Sequence, residues 1–215
     1  MIMEKGARNF AVISRSGADK PDAAYLVESL EEEGANVRVF RADTSKASDV
    51  VKVIAEVSAI LGVVHAAMVL QDAMFGHHMT YEKFNAAIAP KVNGANALHE
   101  ALIGHELDFF VMTSSIAATL ENPGQTNYSA ANSYLDALAY HRNIQGLAAT
   151  SLVLSIILDV GVVVEDESFR GQDYPQGHVR NGREGNAPRL GDRHAPARAK
   201  ARRSHVSQRA DHPRR

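Results

Sequence analysis

The 215-residue chain contains no cysteine, which excludes disulfide scaffolds, iron–sulfur clusters, thiolate zinc sites and cysteine nucleophiles. It has no apolar run of bilayer-spanning length, and no basic start followed by the apolar stretch that marks a secretory signal. A cytoplasmic protein without a membrane partner is the expectation. No G-x-G-x-x-G or equivalent glycine-rich turn occurs anywhere in the chain. Charge of one sign is scarce only locally. Lys and Arg number 23 against 25 Asp and Glu, a net charge of −2, yet residues 1–167 hold 11 basic and 21 acidic residues while 168–215 hold 12 basic and 4 acidic.

Short runs rich in Val, Phe and Ile alternate with longer segments of helical period from residue 9 onward, which predicts repeated βα units around a parallel sheet. Strands are expected at 9–14, 36–41, 62–66, 109–114 and 149–154. Helices are expected at 22–33, 46–61, 80–104 and 127–143, with Ser45 and Thr80 as N-caps. Residues 1–6 (MIMEKG) read as the last turn of a helix with a glycine stop. From 168 to 215 the periodicity ends, and only five large apolar residues accompany four of the seven prolines. Such a segment buries too little surface to offset its ordering entropy, so it is expected to be a disordered basic tail. It has no aromatic platform or binding motif, and no nucleic-acid partner is expected.

The chemistry concentrates in TSSIAATLENPGQTNYSAAN, residues 113–132. Ser115 follows a strand at its carboxyl end, where open α/β sheets place ligands. Tyr128 lies thirteen residues later, and Asn132 lies one helical turn beyond it on the same helix face. The three side chains can converge on one cleft. Elsewhere, His77 and His78 resemble a metal motif but lack a third ligand at suitable spacing, so they read as a solvated loop and no metal is expected. Met68, Met74 and Met79 read as packing residues, and Glu31, Glu32 and Glu33 as a solvated helix end.

These residues resemble the ketoreductase domains of polyketide synthases, within the short-chain dehydrogenase/reductase superfamily, and most closely the fungal highly reducing type. The similarity extends over nearly all of 4–166. It is carried by EKGARNFAVISRSG, VVHAAMVLQD from Val63, FNAAIAPKVNGA from Phe84, SSIAATLENPGQTNYSAANSYLDALA and LDVGVV from Leu158. Ordinary members of the superfamily read Tyr-x-x-x-Lys. Polyketide ketoreductases place Asn there and supply the lysine upstream, as in Tyr128-Ser-Ala-Ala-Asn132 with Lys91 in PKVNGA.

The resemblance implies a Rossmann-type doubly wound parallel sheet, NADPH as cofactor, and a β-ketoacyl substrate tethered by phosphopantetheine to an acyl carrier domain among other synthase domains. It implies that Tyr128 donates a proton to the ketone oxygen, Ser115 hydrogen-bonds that oxygen, and Lys91 and Asn132 complete the tetrad. A phenol of pKa about 10 becomes a useful donor near neutrality when an ammonium stabilises the phenolate. By the same resemblance Arg15, flanked by Ser14 and Ser16, pairs with the 2′-phosphate of NADPH. Asp43 bonds the adenine, and His65, Ala66 and Ala67 form the turn under the adenine ribose. Met68 stands where bacterial relatives usually have glycine. Asp72 matches the aspartate of a Leu-x-Asp element linked to facial selectivity, which implies a D-configured 3-hydroxyl.

The family's fold opens with a central strand and a glycine-rich turn that carries the pyrophosphate at a helix N-terminus. The similarity here starts after that turn, so a sheet incomplete at its N-terminal side is expected, with its middle strands short of a neighbour, weakened cofactor binding and low stability. For residues 172–195, one choice of synonymous codons makes the next reading frame spell KTTPKGMYGMDEREMLRGLETAM, a segment of the family's kind. Shifted-frame translation of the tail is therefore expected. The alternative to a reductase is a catalytically inactive remnant with a structural or interaction role, pairing through an exposed sheet edge.

Overall fold

The computed structural model describes residues 3–73, 78–120 and 123–155. The expectations for 156–215, including the LDVGVV segment and the tail, lie outside the described residues, as do Met74 and His77. All five expected strands form: β1 (Asn9–Ser14), β2 (Asn36–Arg41), β3 (Gly62–His65), β4 (Phe109–Ser115) and β5 (Thr150–Leu154). Every pairing is parallel, β1 with β2, β3 with β4, and β4 with β5.

The strands fall into two sheets, β1-β2 and β3-β4-β5. Among the described residues, β1 pairs only with β2 and β3 only with β4, which leaves one edge of each without a strand. The interruption lies where the sequence predicts that the middle strands are short of a neighbour.

Helices connect the strands as βα units require. α1 (Pro21–Glu32) starts with proline at its first position, where the missing amide hydrogen costs nothing, and Gly34 at φ 85° leads the chain out. No residue of α1 is buried, and Tyr25 and Leu26 on it are exposed. α2 (Ala47–Glu56) stops five residues earlier than the apolar pattern predicts, because Val57 turns extended to feed β3. Ser45 does not cap α2. Its amide and hydroxyl both donate to Asp43 Oδ1, at 3.0 and 2.7 Å, closing a local turn just ahead of the helix, whose N-cap position falls on Lys46.

The single helix expected over 80–104 is three pieces: α3 (Tyr81–Ile88), a π-helical turn (Ala89–Asn93) and α4 (Gly94–Ala101). Pro90 is the cause. It has no amide hydrogen and its ring crowds the preceding turn, so the wider turn absorbs the defect. Thr80 caps α3 as expected, accepting from Lys83 N at 3.3 Å. α5 (Thr126–Ile144) is the longest helix described.

The core forms where α2, α4 and α5 cover β4. Alternation along β4 points Phe110, Met112 and Ser114 inward, and the first two meet Val50, Leu98, Leu102, Leu135 and Leu138. Each fully buried side chain of this size contributes about 1.5–3 kcal/mol. Arg142 lies in the same layer at 1% exposure, with its guanidinium 4.1 Å from the centre of the Phe110 ring, donating to Ala148 O and to His99 Nδ1. At the N-terminus, Met3–Lys5 is one 3₁₀ turn, closed by Gly6 at φ 98°. Met68 does not pack: it is 37% exposed and lines a cleft described below.

Candidate active site

Strand β4 delivers Ser115 and helix α5 delivers Tyr128 and Asn132. The same alternation that buries Ser114, whose hydroxyl donates to Asn132 O at 3.3 Å, turns Ser115 to the other face. Ser115 Oγ accepts from Ala117 N at 3.2 Å and so opens the short turn Ile116–Ala118. Tyr128 is the third residue of α5 and half-buried. Its hydroxyl has no hydrogen-bond partner among the described residues.

Lys91, which is 2% exposed, reaches this group from the π-helical turn. Its Nζ donates to Thr113 O at 2.7 Å and lies 5.5 Å from the centre of the Tyr128 ring. Burial lowers the ammonium from 10.5 to about 8, while the Asp136 carboxylate pulls the other way. The side chain therefore keeps most of its charge at neutral pH. Asn132 donates from Nδ2 to Tyr128 O at 2.8 Å, and its Oδ1 is buried without a partner among the described residues. Lys91 thus lies over the Tyr128 ring, Asn132 bonds the Tyr128 carbonyl, and Ser115 stands two residues beyond the carbonyl that anchors Lys91.

A second set of residues lines a cleft of about 620 Å³ at the carboxyl ends of β1, β2 and β3. Ser14, Arg15, Asp43 and Ala67 line it, while Ser16, His65 and Ala66 do not. Ser16 supports the rim through a 3.4 Å hydroxyl contact with Ser14. Arg15 is exposed and its guanidinium makes no hydrogen bond or ion pair among the described residues. Hydrogen bonds from Ser45 hold Asp43 below the ordinary carboxylate range, against the opposing effect of burial, and the cations Lys46 and Arg15 add to the lowering. Both Ser45 bonds fall on Oδ1, so Oδ2 is open for a ligand donor. Pro90 also lines the cleft, and the next residue is Lys91. One turn of chain separates the cleft from the Tyr128 group.

Asp72 is exposed and accepts from Gln125 Nε2 at 2.9 Å, which ties its loop to the residue preceding α5. Asn127 secures the same junction and escapes sequence reasoning. Fully buried, it donates to Gln71 O at 3.0 Å and Lys83 O at 3.2 Å, and accepts from Tyr128 N at 2.8 Å. Only its place beside Tyr128 in the chain draws attention to it. His65, which reads as a satisfied pocket histidine rather than a catalyst, is buried and its ring bonds Lys91 O at 3.2 Å. Among the described residues no cluster of three His, Asp or Glu is placed to hold a metal, and no helix is long and apolar enough to cross a membrane.

The arrangement suits proton donation by a phenol next to a buried ammonium, alongside a cleft with a cationic rim. Comparison with known proteins identifies the family. The family profile of the KR domain matches residues 1–159. The reducing polyketide synthase DEP5 of Alternaria brassicicola is 49% identical over 171 residues, which cover 78% of this chain and 7% of that protein. A highly reducing polyketide synthase of Pyrenophora dematioidea is 47% identical, with 76% and 7% covered. The chain thus spans a small part of the length of these relatives. Among solved structures, one described as an A1-type ketoreductase superposes with a TM-score of 0.73 at 35% identity, covering 77% of this chain and 35% of that one. The parallel βα architecture, the Ser-Tyr-Asn block with its upstream lysine, and these similarities establish that the chain belongs to the ketoreductase domains of fungal highly reducing polyketide synthases, within the short-chain dehydrogenase/reductase superfamily.

Proposed function

We propose that the chain performs NADPH-dependent reduction of a β-ketoacyl thioester to the 3-hydroxyacyl product, with the substrate held on the phosphopantetheine arm of an acyl carrier domain. The partners are that carrier and the other domains of a cytoplasmic polyketide synthase. The observation that carries this reading is the placement of the Lys91 ammonium 5.5 Å from the Tyr128 ring, inside the fold, with a free phenol above it.

The cleft residues fit the adenosine end of NADPH. Arg15 offers a planar cation to the 2′-phosphate, Asp43 Oδ2 is open to an amino donor, and Ala67 leaves room for a sugar. The chain offers no glycine-rich turn for the pyrophosphate, so affinity rests on that end. When bound, the nicotinamide supplies the hydride, which no side chain can.

The remaining work falls to the protein. Tyr128 gives its proton to the ketone oxygen as hydride reaches the carbon, so the carbonyl becomes a hydroxyl. Ser115 hydrogen-bonds the same oxygen as negative charge develops there. The phenolate left behind is stabilised by Lys91, and Asn132 holds the first turn of α5 through the Tyr128 carbonyl. Asp72, at the loop tied to Gln125, orients the acyl chain.

The test is incubation of the full chain with NADPH and a β-ketoacyl pantetheine thioester. Formation of the 3-hydroxy product, abolished by Tyr128→Phe and reduced by Ser115→Ala, supports the proposal, and the configuration at the new carbinol reads the part played by Asp72. A second reading is favoured by the break between β1 and β3: a non-catalytic chain that pairs with an added strand through those edges. A folded sample that neither binds NADPH nor reduces the thioester supports that reading instead.

A further inference from the structure

Three residues on three elements close a cycle of hydrogen bonds around Lys91. The His65 ring at the end of β3 donates from Nε2 to Lys91 O at 3.2 Å, Lys91 Nζ donates to Thr113 O at 2.7 Å, and Thr113 Oγ1 donates to His65 O at 3.4 Å. The direction of the first bond follows from chemistry. A carbonyl only accepts, so Nε2 carries the proton. Burial disfavours a second proton on the ring, which is 3% exposed, and the nearby Lys91 cation opposes it too.

The space for the ring is specific. A Cβ added at Gly94 would lie 2.9 Å from His65 Cε1, so any side chain at residue 94 would push the imidazole from its present place. Between them runs the π-helical turn with Pro90 and Lys91. A π turn is a local widening that packing must hold in place, and relaxing it by one residue would swing the lysine stem by about 100°. His65 grips that turn by its carbonyl while Thr113 grips the far end of the same side chain.

We propose that His65, acting through this cycle with Thr113, is a positioning residue that fixes the π-helical turn and thereby sets where the Lys91 ammonium stands beneath Tyr128. The catalytic meaning of that placement rests on the proposed reductase activity, whereas the placement itself does not. The charged and titratable groups facing Lys91 are His65 from β3 and Tyr128 and Asp136 from α5. Asp136 in turn accepts from the Ser151 hydroxyl on β5, which keeps its carboxylate in place as the counter-charge.

The experiment follows the pH titration of the Lys91 Cε signal by NMR in the full chain labelled at lysine, with the signal assigned by its loss in Lys91→Met. The unaltered chain is expected to titrate near 8. His65→Phe keeps a ring but no donor, and is expected to move that titration upward by about one pH unit or more as the ammonium gains access to water. His65→Gln, whose amide reaches the same carbonyl, is expected to restore it. Thr113→Val cuts the cycle on the opposite side and is expected to shift the titration in the same direction. Should His65→Phe fail to fold, Thr113→Val and His65→Gln decide the matter. An unchanged Lys91 titration in a folded His65→Phe or Thr113→Val protein overturns the proposal, as does a Lys91 that titrates like an exposed lysine in the unaltered chain. None of these readouts depends on turnover, so loss of the reductase reading leaves them intact. Where the chain does turn over, His65→Phe is expected to lower kcat with KM little changed, and His65→Gln to recover it.

Discussion

Replacing Lys91 by methionine removes a buried charge and keeps most of the stem's volume. The fall in pKa from 10.5 to about 8, at about 1.4 kcal/mol per pH unit, means that burying this ammonium costs native stability roughly 3 kcal/mol. Below pH 8 the lysine is protonated in both native and unfolded chains, and the whole cost applies. Between about 8 and 10.5 the unfolded chain holds a proton that the native chain has released, so native stability rises with pH by up to about 1.4 kcal/mol per unit. Above 10.5 the cost is gone. The assay is urea unfolding of the unaltered chain and Lys91→Met at about pH 7 and about pH 10. Contributions from other titrating groups appear in both proteins and cancel in the difference. The stability of the unaltered chain relative to the variant is expected to improve by roughly 2–3 kcal/mol between the two pH values. A difference that does not change with pH refutes the reasoning, because it means Lys91 does not sit charged inside the fold.

Three further outcomes follow from the same geometry. Arg15→Ala is expected to weaken NADPH binding at least tenfold and NADH binding little, since a charge-assisted hydrogen bond contributes about 1.5–3 kcal/mol; fluorescence titration with the two cofactors measures it, and equal losses would contradict the assignment. Asn127→Ala strips partners from Gln71 O, Lys83 O and Tyr128 N at a fully buried position, and is expected to cost about 2–4 kcal/mol by urea unfolding. Acid should destabilise the fold. Burial, together with the neighbouring Arg142 for His99 and Lys91 for His65, holds both imidazoles below the ordinary 6.5. The unfolded chain therefore takes up protons first as pH falls through 6.5, and stability drops with it. Unfolding midpoints compared at about pH 7.5 and 5.5 should show the drop, and His99→Gln should make it smaller.

The strands were legible because each is a compact run of Val, Phe or Ile bounded by Gly, Ser or Asp, and local pattern is enough to set a buried parallel strand. The helix over 80–104 was legible as helical but not as three pieces. Its apolar period continues through Pro90, and only the three-dimensional path shows the wider turn that accommodates the proline. Ser45 looked like a cap because Ser commonly caps helices, yet its amide and hydroxyl turn back onto Asp43 and the cap position falls one residue later, at Lys46. For the site, the spacing of Ser115, Tyr128 and Asn132 follows from one strand end and one helix turn, both local. The roles of His65 and Asn127 do not: they bond to partners 26 and 56 residues away in the chain, and no local pattern encodes such a pairing. The expected gap beside the middle strands has its counterpart in the separation of β1-β2 from β3-β4-β5.

That interruption bears on turnover, because the cleft lies at the carboxyl ends of strands on both sides of it. The most direct measurement is transfer of deuterium from NADPH deuterated at its hydride position to a β-ketoacyl pantetheine thioester, with the full folded chain as the only protein present. The expected result is one deuterium on the carbinol carbon of the 3-hydroxyacyl product, and none when Tyr128→Phe is substituted. A folded chain that transfers no deuterium, or transfers it equally well without the Tyr128 hydroxyl, contradicts the account.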